Sequence, residues 1–141
     1  MVNYLLDTNV ISELRQSKRA RNTSMLQWMS GKETDNFFIS SITLEEIYDG
    51  ILRVESRENK QATRLRKWFK HDVINAFRGK ILSIDEYVAL RTSEINIVRT
   101  YPENDAYIAA TALVHAMPLV TRNVKDFEDI GGLSLVNPFA D

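Results

Sequence analysis

Five short apolar stretches, separated by longer helical segments, restrict this chain to one class of fold. Their residues mostly do not alternate between apolar and polar, so neither face of the strands they form is expected to meet water. Strands of that kind belong to a sheet that is covered by helices on both faces. The predicted strands are Tyr4–Leu6, Phe37–Ile39, Ile81–Ile84, Leu119–Thr121 and Leu133–Val136.

The segments between these strands carry apolar residues at helical spacing, as Leu44, Ile47, Tyr48 and Ile51 do. Because strands alternate with helices, the sequence predicts a three-layer α/β/α sandwich with a mostly parallel sheet of about five strands. The first two long helices form an insertion beside the sheet, and a shorter helix begins near Val10. The predicted long helices run from Thr43 to about Arg57, from Asn59 to about Phe77, from Asp85 to about Arg99 and from Pro102 to about Ala116.

The composition narrows the classes of function. The 141 residues suffice for one domain with a buried core, which we expect to span residues 1–141. The net charge of −1 gives no general attraction to nucleic acids or membranes, and the absence of cysteine excludes disulfides, thiolate metal sites and cysteine nucleophiles. The chain has no basic leader followed by a long apolar run and no stretch of about 18 apolar residues, so we expect a cytoplasmic protein.

The first predicted strand ends in an acid, Asp7, which Thr8 and Asn9 follow. In open α/β sheets, ligands bind beyond the carboxyl ends of the strands, so this acid is placed for a metal or a phosphate. The alternative is an N-cap for the next helix, because Asp is a favoured cap residue. Thr8 and Asn9 can also cap that helix, so Asp7 is not required for the task.

Two neighbouring acids, Glu45 and Glu46, lie near the start of the next long helix. Neither belongs to the apolar face of this helix, so periodicity does not choose between them. Glu46 follows Thr43 by three residues, which is the spacing of a capping box. Both a cap and a functional acid fit this pattern.

Asp105 is the most informative acid, because it begins a helix whose other residues on the same face are small. The positions that follow it at one-turn intervals are Ala109, Ala112 and Ala116, which predicts close packing on the sheet. A carboxylate beside such a face needs a cation or hydrogen-bond donors nearby. The alternative is that Asp105 only complements the helix dipole.

A similar polar end follows the strand Leu119–Thr121, where Asn123 and Asp126 occur; Asp126 also fits as a cap for the turn Phe127–Ile130. In a parallel sheet with right-handed crossovers, such strand ends and helix starts gather at one edge. Carboxylates that converge there repel each other unless a cation is present. Oxygen ligands without cysteine favour Mg²⁺ or Mn²⁺.

Four segments, in the right order over essentially the whole chain, resemble PIN-domain ribonucleases. Within that family the chain looks most like the VapC/FitB-like toxins of prokaryotic type II toxin–antitoxin pairs. The segments are Leu5–Asn9, Ser40–Glu46, Asp105–Ala112 and Leu119–Asn123, and the ending Val136–Phe139 is also similar.

The resemblance implies an endoribonuclease that uses Mg²⁺ or Mn²⁺ to activate water for phosphodiester hydrolysis. The four catalytic positions of the family fall on Asp7, Glu46, Asp105 and Asn123, and the first three would hold the metal. The fourth position is often Asp; Asn123 brings no charge, and Asp126 is a candidate substitute. The residues expected to hydrogen-bond and orient these acids are Thr8, Asn9 and Thr121.

The resemblance also implies partners. A cognate VapB-like antitoxin would hold the nuclease inactive, with an apolar segment in a groove between the helices Thr43–Arg57 and Asn59–Phe77. A homodimer is typical of the family. RNA phosphates are expected to contact Arg122, which is nearest the site, and three further residues, Arg15, Lys18 and Arg19. A second basic cluster is as easily a solvated helix face, and it consists of Arg64, Arg66, Lys67 and Lys70.

Two alternatives stay open at this point. With Asn123 in the fourth position, the domain could be a degenerate nuclease that acts only as a binding module. A phospho-accepting, receiver-like domain is the other alternative, but such domains usually have paired acids after the first strand. Here Asp7 is followed by Thr8 and Asn9, and the chain has no glycine-rich phosphate loop.

Overall fold

The computed structural model describes residues 2–17, 19–57 and 60–139. Within these ranges, five strands form one sheet in the order β3-β2-β1-β4-β5, and every neighbouring pair is parallel. The first strand therefore lies at the centre of the sheet. The strands are β1 (Tyr4–Leu6), β2 (Phe37–Ser40), β3 (Ile81–Leu82), β4 (Leu119–Val120) and β5 (Leu135–Val136).

Six α-helices connect and cover these strands in the described part of the chain. The first four helices precede β3 in the chain and cover one face of the sheet, and the last two cover the other face. They are α1 (Thr8–Leu14), α2 (Thr23–Ser30), α3 (Ser41–Glu55), α4 (Gln61–Trp68), α5 (Glu86–Val98) and α6 (Glu103–Val114). None of them is long and apolar enough to cross a membrane.

The two faces of the central strand explain the three layers. Successive side chains of a strand point to opposite faces of the sheet. Leu5 belongs to a core with α5 and α6, including Val88 and Ile108, whereas Leu6 belongs to a second core with α1 and β2, including Val10 and Ile39. All six side chains are essentially buried. The predicted α/β/α sandwich with a parallel five-stranded sheet is confirmed.

Three strands are shorter than predicted: β4 ends at Val120 rather than Thr121, and β3 and β5 are short because their pairing partners are short. Ile81 and Leu82 of β3 pair with the last two residues of β2. Because β2 ends at Ser40, where α3 follows, it has no further residue to pair with Ile84. Strand β5 begins at Leu135 rather than Leu133. Its partner β4 begins directly after Pro118, which has no N–H to donate to a sheet.

Several helices differ from the prediction. Helix α2 was not predicted, although Asn22 caps it by accepting from the Met25 backbone N–H at 3.0 Å. The predicted helix from Asn59 to Phe77 is instead α4 followed by a π-helical segment, Phe69–Ile74, and Asn59 itself lies outside the described residues. A wider π turn cannot be read from apolar spacing, because the sequence pattern only tests the 3.6-residue period.

Candidate metal and RNA site

Asp7 lies at the end of β1, between the ends of its two neighbouring strands, and only 6% of its surface is exposed. It caps α1, which begins at Thr8 and not near Val10, because its Oδ1 accepts from the Thr8 backbone N–H at 2.8 Å. Its other oxygen, Oδ2, accepts from the hydroxyl of Thr121 at 2.7 Å and from the amide of Asn9 at 3.2 Å. Asp7 is thus both a cap and a buried acid at the sheet edge, so the two readings of the sequence are compatible.

Thr121 and Asn9 join the ends of β1 and β4. Thr121 is fully buried, and its hydroxyl oxygen accepts from Asn9 Nδ2 at 3.2 Å and from the Asn123 backbone N–H at 3.0 Å. Asn9 Oδ1 accepts from the Arg122 backbone N–H at 3.1 Å. These bonds fix the loop after β4 against the start of α1, so residues 121–123 and Asp7 share one rigid frame.

Glu46 reaches the same place from α3, whereas Glu45 is exposed and lines a different groove beside Tyr48. The capping-box interpretation of Glu46 is wrong, because α3 begins two residues earlier than predicted and Ser40 caps it, accepting from the Ile42 backbone N–H at 3.0 Å. Thr43 is instead a fully buried residue of the first turn.

A chain of hydroxyl groups holds Glu46. Thr8 donates its hydroxyl proton to Glu46 Oε1 at 2.5 Å, and the hydroxyl oxygens of Thr8 and Thr43 lie 3.0 Å apart. A carboxylate can only accept, so Thr8 donates its single hydroxyl proton to Glu46. Thr43 therefore donates its own hydroxyl proton to the oxygen of Thr8. Asn104 Nδ2 adds a long contact of 3.4 Å to Glu46 Oε2.

Asp105 lies in the first turn of α6 and is half-buried. Ala109 and Ala112 on the same helix are fully buried, as their small size predicts, but Ala116 is exposed and lies beyond the end of the helix. Within residues 2–17, 19–57 and 60–139, no protein donor bonds the Asp105 side chain. Its charge therefore has no partner in the described part of the fold.

The carboxylates influence one another. Burial raises the pKa of Asp7 to about 6; the hydrogen bonds from Thr121 and Thr8 oppose this rise, and the charges of Asp105 and Glu46 add to it. Burial also raises the pKa of Asp105, and the charges of Glu46 and Asp126 add to that rise. A bound cation would relieve this excess of negative charge.

One cleft of about 430 Å³ contains most of the predicted site. Asn123 lines it and offers a neutral amide, whereas Asp126 ends an exposed 3₁₀ turn, Val124–Asp126, and is not part of the cleft. Asp126 therefore belongs to that turn and is not a cap for residues 127–130. The cleft brings together Asp7, Thr8, Asn9, Glu46, Asp105, Arg122 and Asn123 from the predicted set.

The predicted RNA contacts separate into two groups. Arg122 and Arg15 line the cleft, while Arg19 is exposed outside it and Lys18 lies outside the described residues. The Arg122 guanidinium stacks over the Phe139 ring at 4.0 Å, and its Nη2 lies 3.4 Å from Glu13 Oε1. Arg122 is thus held at the mouth of the cleft.

The second basic cluster does not reach the cleft. Arg66 is engaged with Glu55 and with the Tyr48 hydroxyl, and its guanidinium lies 5.4 Å from the Tyr48 ring centre. Arg66 and Lys70 instead line the groove between α3 and α4.

Among the residues in and beside the cleft that were not singled out in the sequence, two contact predicted site residues: Glu13 contacts Arg122, and Asn104 contacts Glu46. Glu13 lies one turn after Asn9 on α1, so helical spacing could have placed it beside the cleft. Asn104 directly precedes Asp105 at the start of α6, so its position beside a candidate acid could have marked it as a possible site residue. Neither residue type carries a signal strong enough to be chosen from the pattern alone.

The donor chemistry of the cleft fits a hard divalent cation. No group of three or more acidic or histidine side chains in the described ranges forms a ready-made metal cage. Mg²⁺, however, usually keeps several waters and binds proteins through only one or two carboxylates. Asp7 is a buried acid with a raised pKa, and the Asp105 side chain has no hydrogen-bond donor among the described residues. The carboxylate, hydroxyl and amide oxygens beside them suit such a partly hydrated ion.

The chain belongs to the PIN domain family, whose sequence profile matches residues 4–133. Among proteins of similar sequence, VapC ribonuclease Y4jK of Sinorhizobium fredii (strain NBRC 101917 / NGR234) is 30% identical over 140 residues, which cover 96% of each chain.

Two solved structures have the same fold. The crystal structure of FitAcB from Neisseria gonorrhoeae gives a TM-score of 0.84 at 28% identity and covers 98% of this chain and 99% of that chain. A toxin–antitoxin complex from Klebsiella pneumoniae gives a TM-score of 0.67 at 27% identity and covers 99% of this chain and 100% of that one. The predicted likeness to VapC/FitB-like proteins is confirmed.

Proposed function

We propose that this protein is a metal-dependent endoribonuclease and the toxin of a type II toxin–antitoxin pair. The observation that carries the proposal is the single cleft that collects Asp7, Glu46 and Asp105 at the carboxyl edge of the sheet. Similarity to a protein named a VapC ribonuclease and to a chain of a toxin–antitoxin complex supports the same activity.

In this proposal Asp7, Glu46 and Asp105 hold Mg²⁺ or Mn²⁺, which would lower the pKa of a bound water and stabilise negative charge on the phosphate. The chain supplies the orientation. Thr121 and Asn9 fix the Asp7 carboxylate, and Thr8 fixes that of Glu46. Water is the nucleophile, and no side chain forms a covalent intermediate.

Arg122 is proposed to bind an RNA phosphate at the mouth of the cleft. Its guanidinium is positioned by Phe139 and Glu13, and about half of its side chain is exposed. Arg15 at the rim of the cleft adds a second positive charge. An acidic cleft would otherwise repel the polyanion, so these arginines and the metal together make RNA binding favourable.

The proposed partners are a cognate VapB-like antitoxin and a second copy of the chain. The groove between α3 and the segment α4–Ile74 has a volume of about 400 Å³ and presents Leu44, Tyr48 and Phe69. Such an apolar groove suits a short amphipathic segment of the antitoxin. The cytoplasmic location inferred from the sequence is part of the same proposal.

Acid substitutions test the proposed activity. The variants Asp7→Asn and Asp105→Asn each lose at least about a hundredfold in the rate of RNA cleavage. Removing a proposed metal ligand reduces activity more than removing a residue that only hydrogen-bonds to a ligand. Asp49→Asn is the matched control, since Asp49 is an exposed acid on α3 that only pairs with Arg53.

Equal cleavage by the wild type and by the Asp7→Asn, Asp105→Asn double variant would refute the assignment. If the wild type does not cleave RNA either, and the wild type and the acid variants bind the antitoxin equally well, the chain is the degenerate binding module that Asn123 leaves open.

A further inference from the structure

Thr43, in the first turn of α3, is a polar residue that is fully buried. A buried hydroxyl costs free energy unless it is hydrogen-bonded. Two other buried helical threonines, Thr92 and Thr111, donate to the backbone carbonyl four residues earlier in their own helices. Thr43 instead bonds the hydroxyl of Thr8, which belongs to α1, at 3.0 Å. Its hydroxyl therefore serves a contact between two helices.

Neither capping nor packing accounts for this hydroxyl. Ser40 already caps α3, because its side chain accepts from the Ile42 backbone N–H at 3.0 Å. Valine has nearly the shape of threonine and no hydroxyl to satisfy, so packing alone would favour valine at this buried position. The bond to Thr8 is what explains a threonine here.

The bond between the two hydroxyls has a direction. A hydroxyl has one proton, which rotates to suit its partners, and two lone pairs. Because Thr43 donates to the Thr8 oxygen, the Thr8 proton cannot point back at Thr43 and stays directed at Glu46 Oε1, 2.5 Å away. Hydrogen bonds in a chain also polarise one another, so a hydroxyl that accepts one bond donates more strongly in the next. Thr43 thus strengthens, through Thr8, the bond that holds Glu46.

The two carboxylate oxygens of Glu46 are held unequally. Oε1 takes the short bond from Thr8, whereas Oε2 takes only a long contact of 3.4 Å from Asn104 in the described part of the chain. Glu46 lines the same cleft as Asp7 and Asp105. Oε2 is therefore the oxygen that keeps its capacity for a cation, and the bond from Thr8 to Oε1 sets where Oε2 lies.

We propose that Thr43 is a positioning residue of the metal site. It orients the hydroxyl of Thr8, and Thr8 in turn fixes the Glu46 carboxylate, so that Glu46 presents Oε2 to the cation. The inference rests on the proposed metal-dependent activity and adds to it a buried residue that acts from behind Thr8.

The affinity of the RNA-free protein for Mn²⁺ tests this role without any cleavage. Titration with Mn²⁺, followed by the electron paramagnetic resonance signal of the free ion, gives the dissociation constant. Residues that orient metal ligands contribute about 10–100-fold to metal affinity, so Thr8→Val should raise this constant at least about tenfold. Thr43→Val acts one bond further away and should raise it about three- to tenfold. Thr43→Ser keeps the hydroxyl and should stay within about twofold of the wild type.

A double-mutant cycle tests the route through Thr8. In Thr8→Val the hydroxyl that Thr43 orients is missing. The further change Thr43→Val should then leave the dissociation constant where Thr8→Val alone puts it, whereas independent effects would multiply. The cycle thus separates a relay through Thr8 from a general disturbance of α3, which would weaken Mn²⁺ binding in either background.

Thr92→Val is the matched control. It removes the same hydroxyl from a buried helical threonine, but Thr92 lies on α5, which supplies none of the described residues that line the cleft. Its Mn²⁺ affinity should equal that of the wild type. Circular dichroism checks that each variant is folded. Should Thr43→Val not fold, Thr43→Ala and Thr43→Ser make the same comparison, because both lack the methyl group and only serine keeps the hydroxyl.

Equal Mn²⁺ affinity of Thr43→Val and the wild type would overturn the proposal, and so would a loss in Thr43→Ser as large as that in Thr43→Val. Effects that multiply in the cycle would overturn it as well. A wild type that does not bind Mn²⁺ would refute the proposed metal site, and this inference with it. A wild type that binds Mn²⁺ no more tightly than Thr43→Val does would refute only the role of Thr43.

Discussion

At the scale of single residues, the buried carboxylate of Asp7 makes the metal-free protein sensitive to pH. The pKa of Asp7 is about 6 in the folded chain against 3.8 for a free side chain, so the folded state binds the proton more tightly. Its contribution to stability is then complete below pH 3.8 and is lost as the pH rises through 6. The raised pKa of Asp105 acts in the same direction.

Without metal, the wild type is therefore predicted to be more stable at pH 5 than at pH 7.5, with about 1–1.5 kcal/mol of the difference due to Asp7. Thermal or urea unfolding at both pH values measures this. In Asp7→Asn the difference should shrink by that amount. Parallel pH dependences for the two proteins would show that Asp7 is not held as described.

Arg122 gives a second prediction for a single residue. If it contacts one RNA phosphate, Arg122→Ala should reduce the slope of log affinity against log salt by about 0.7 for single-stranded RNA. Fluorescence anisotropy in Mg²⁺ with a non-cleavable RNA analogue measures binding without cleavage. Arg64→Ala is the control, because Arg64 is exposed on α4 and does not line the cleft. Equal slopes for both variants would show that Arg122 does not contact an RNA phosphate.

Single residues also show where the sequence stops being informative. The positions of Asp7 and Asp105 followed from strand ends and a small-residue helix face, and both lie in the cleft. The choice between Glu45 and Glu46 did not follow from periodicity, because it depends on the hydroxyl of Thr8, which comes from another element. Contacts across 38 residues of sequence leave no local pattern.

At the scale of elements, the end of α6 is strained. Ala116 has φ of 53°, the left-handed conformation that usually requires glycine, and it closes the helix. The Met117 backbone N–H donates to the Ala112 carbonyl at 2.9 Å, and the Ala116 N–H donates to the Leu113 carbonyl at 3.2 Å. These are the bonds of a Schellman motif, in which glycine is favoured at the position of Ala116.

Ala116→Gly is therefore predicted to stabilise the protein by about 0.5–1 kcal/mol. The glycine removes about 1–2 kcal/mol of strain from the left-handed conformation in the folded state. Part of this gain is cancelled, because glycine also raises the conformational entropy of the unfolded chain. Ala109→Gly is the matched control; it is buried within the same helix and should destabilise by about 1 kcal/mol or more. Chemical denaturation measures both, and a destabilising Ala116→Gly would contradict the account.

The elements were predicted unevenly for physical reasons. The strands and the long helices were recognised because their burial imposes regular spacing on the sequence. Helix α2 was missed because it has only eight residues, of which Met25 alone is fully buried. The boundaries of β3 and β5 depend on where their partners end, and strand pairing is not visible in one segment alone.

At the scale of the whole molecule, the parallel sheet is what creates the site. Because β1 and β4 are neighbours and run in the same direction, Asp7 and Thr121 emerge side by side, and the N-terminal halves of α3 and α6 bring Glu46 and Asp105 to the same edge. Acids separated by about a hundred residues thus share one cleft, and their mutual repulsion rises as they ionise. The fold holds these charges together, and the cation is proposed to stabilise them.

The decisive measurement asks whether the cleft acts through a bound cation. The rate of RNA cleavage by one preparation of the wild-type protein is measured in Mg²⁺, after chelation with EDTA, and after Mg²⁺ or Mn²⁺ is restored. We expect cleavage with the metal, its loss in EDTA and its return when the metal is restored, with no return in Asp105→Asn. Cleavage that continues unchanged in EDTA, or that persists in Asp105→Asn, would contradict it.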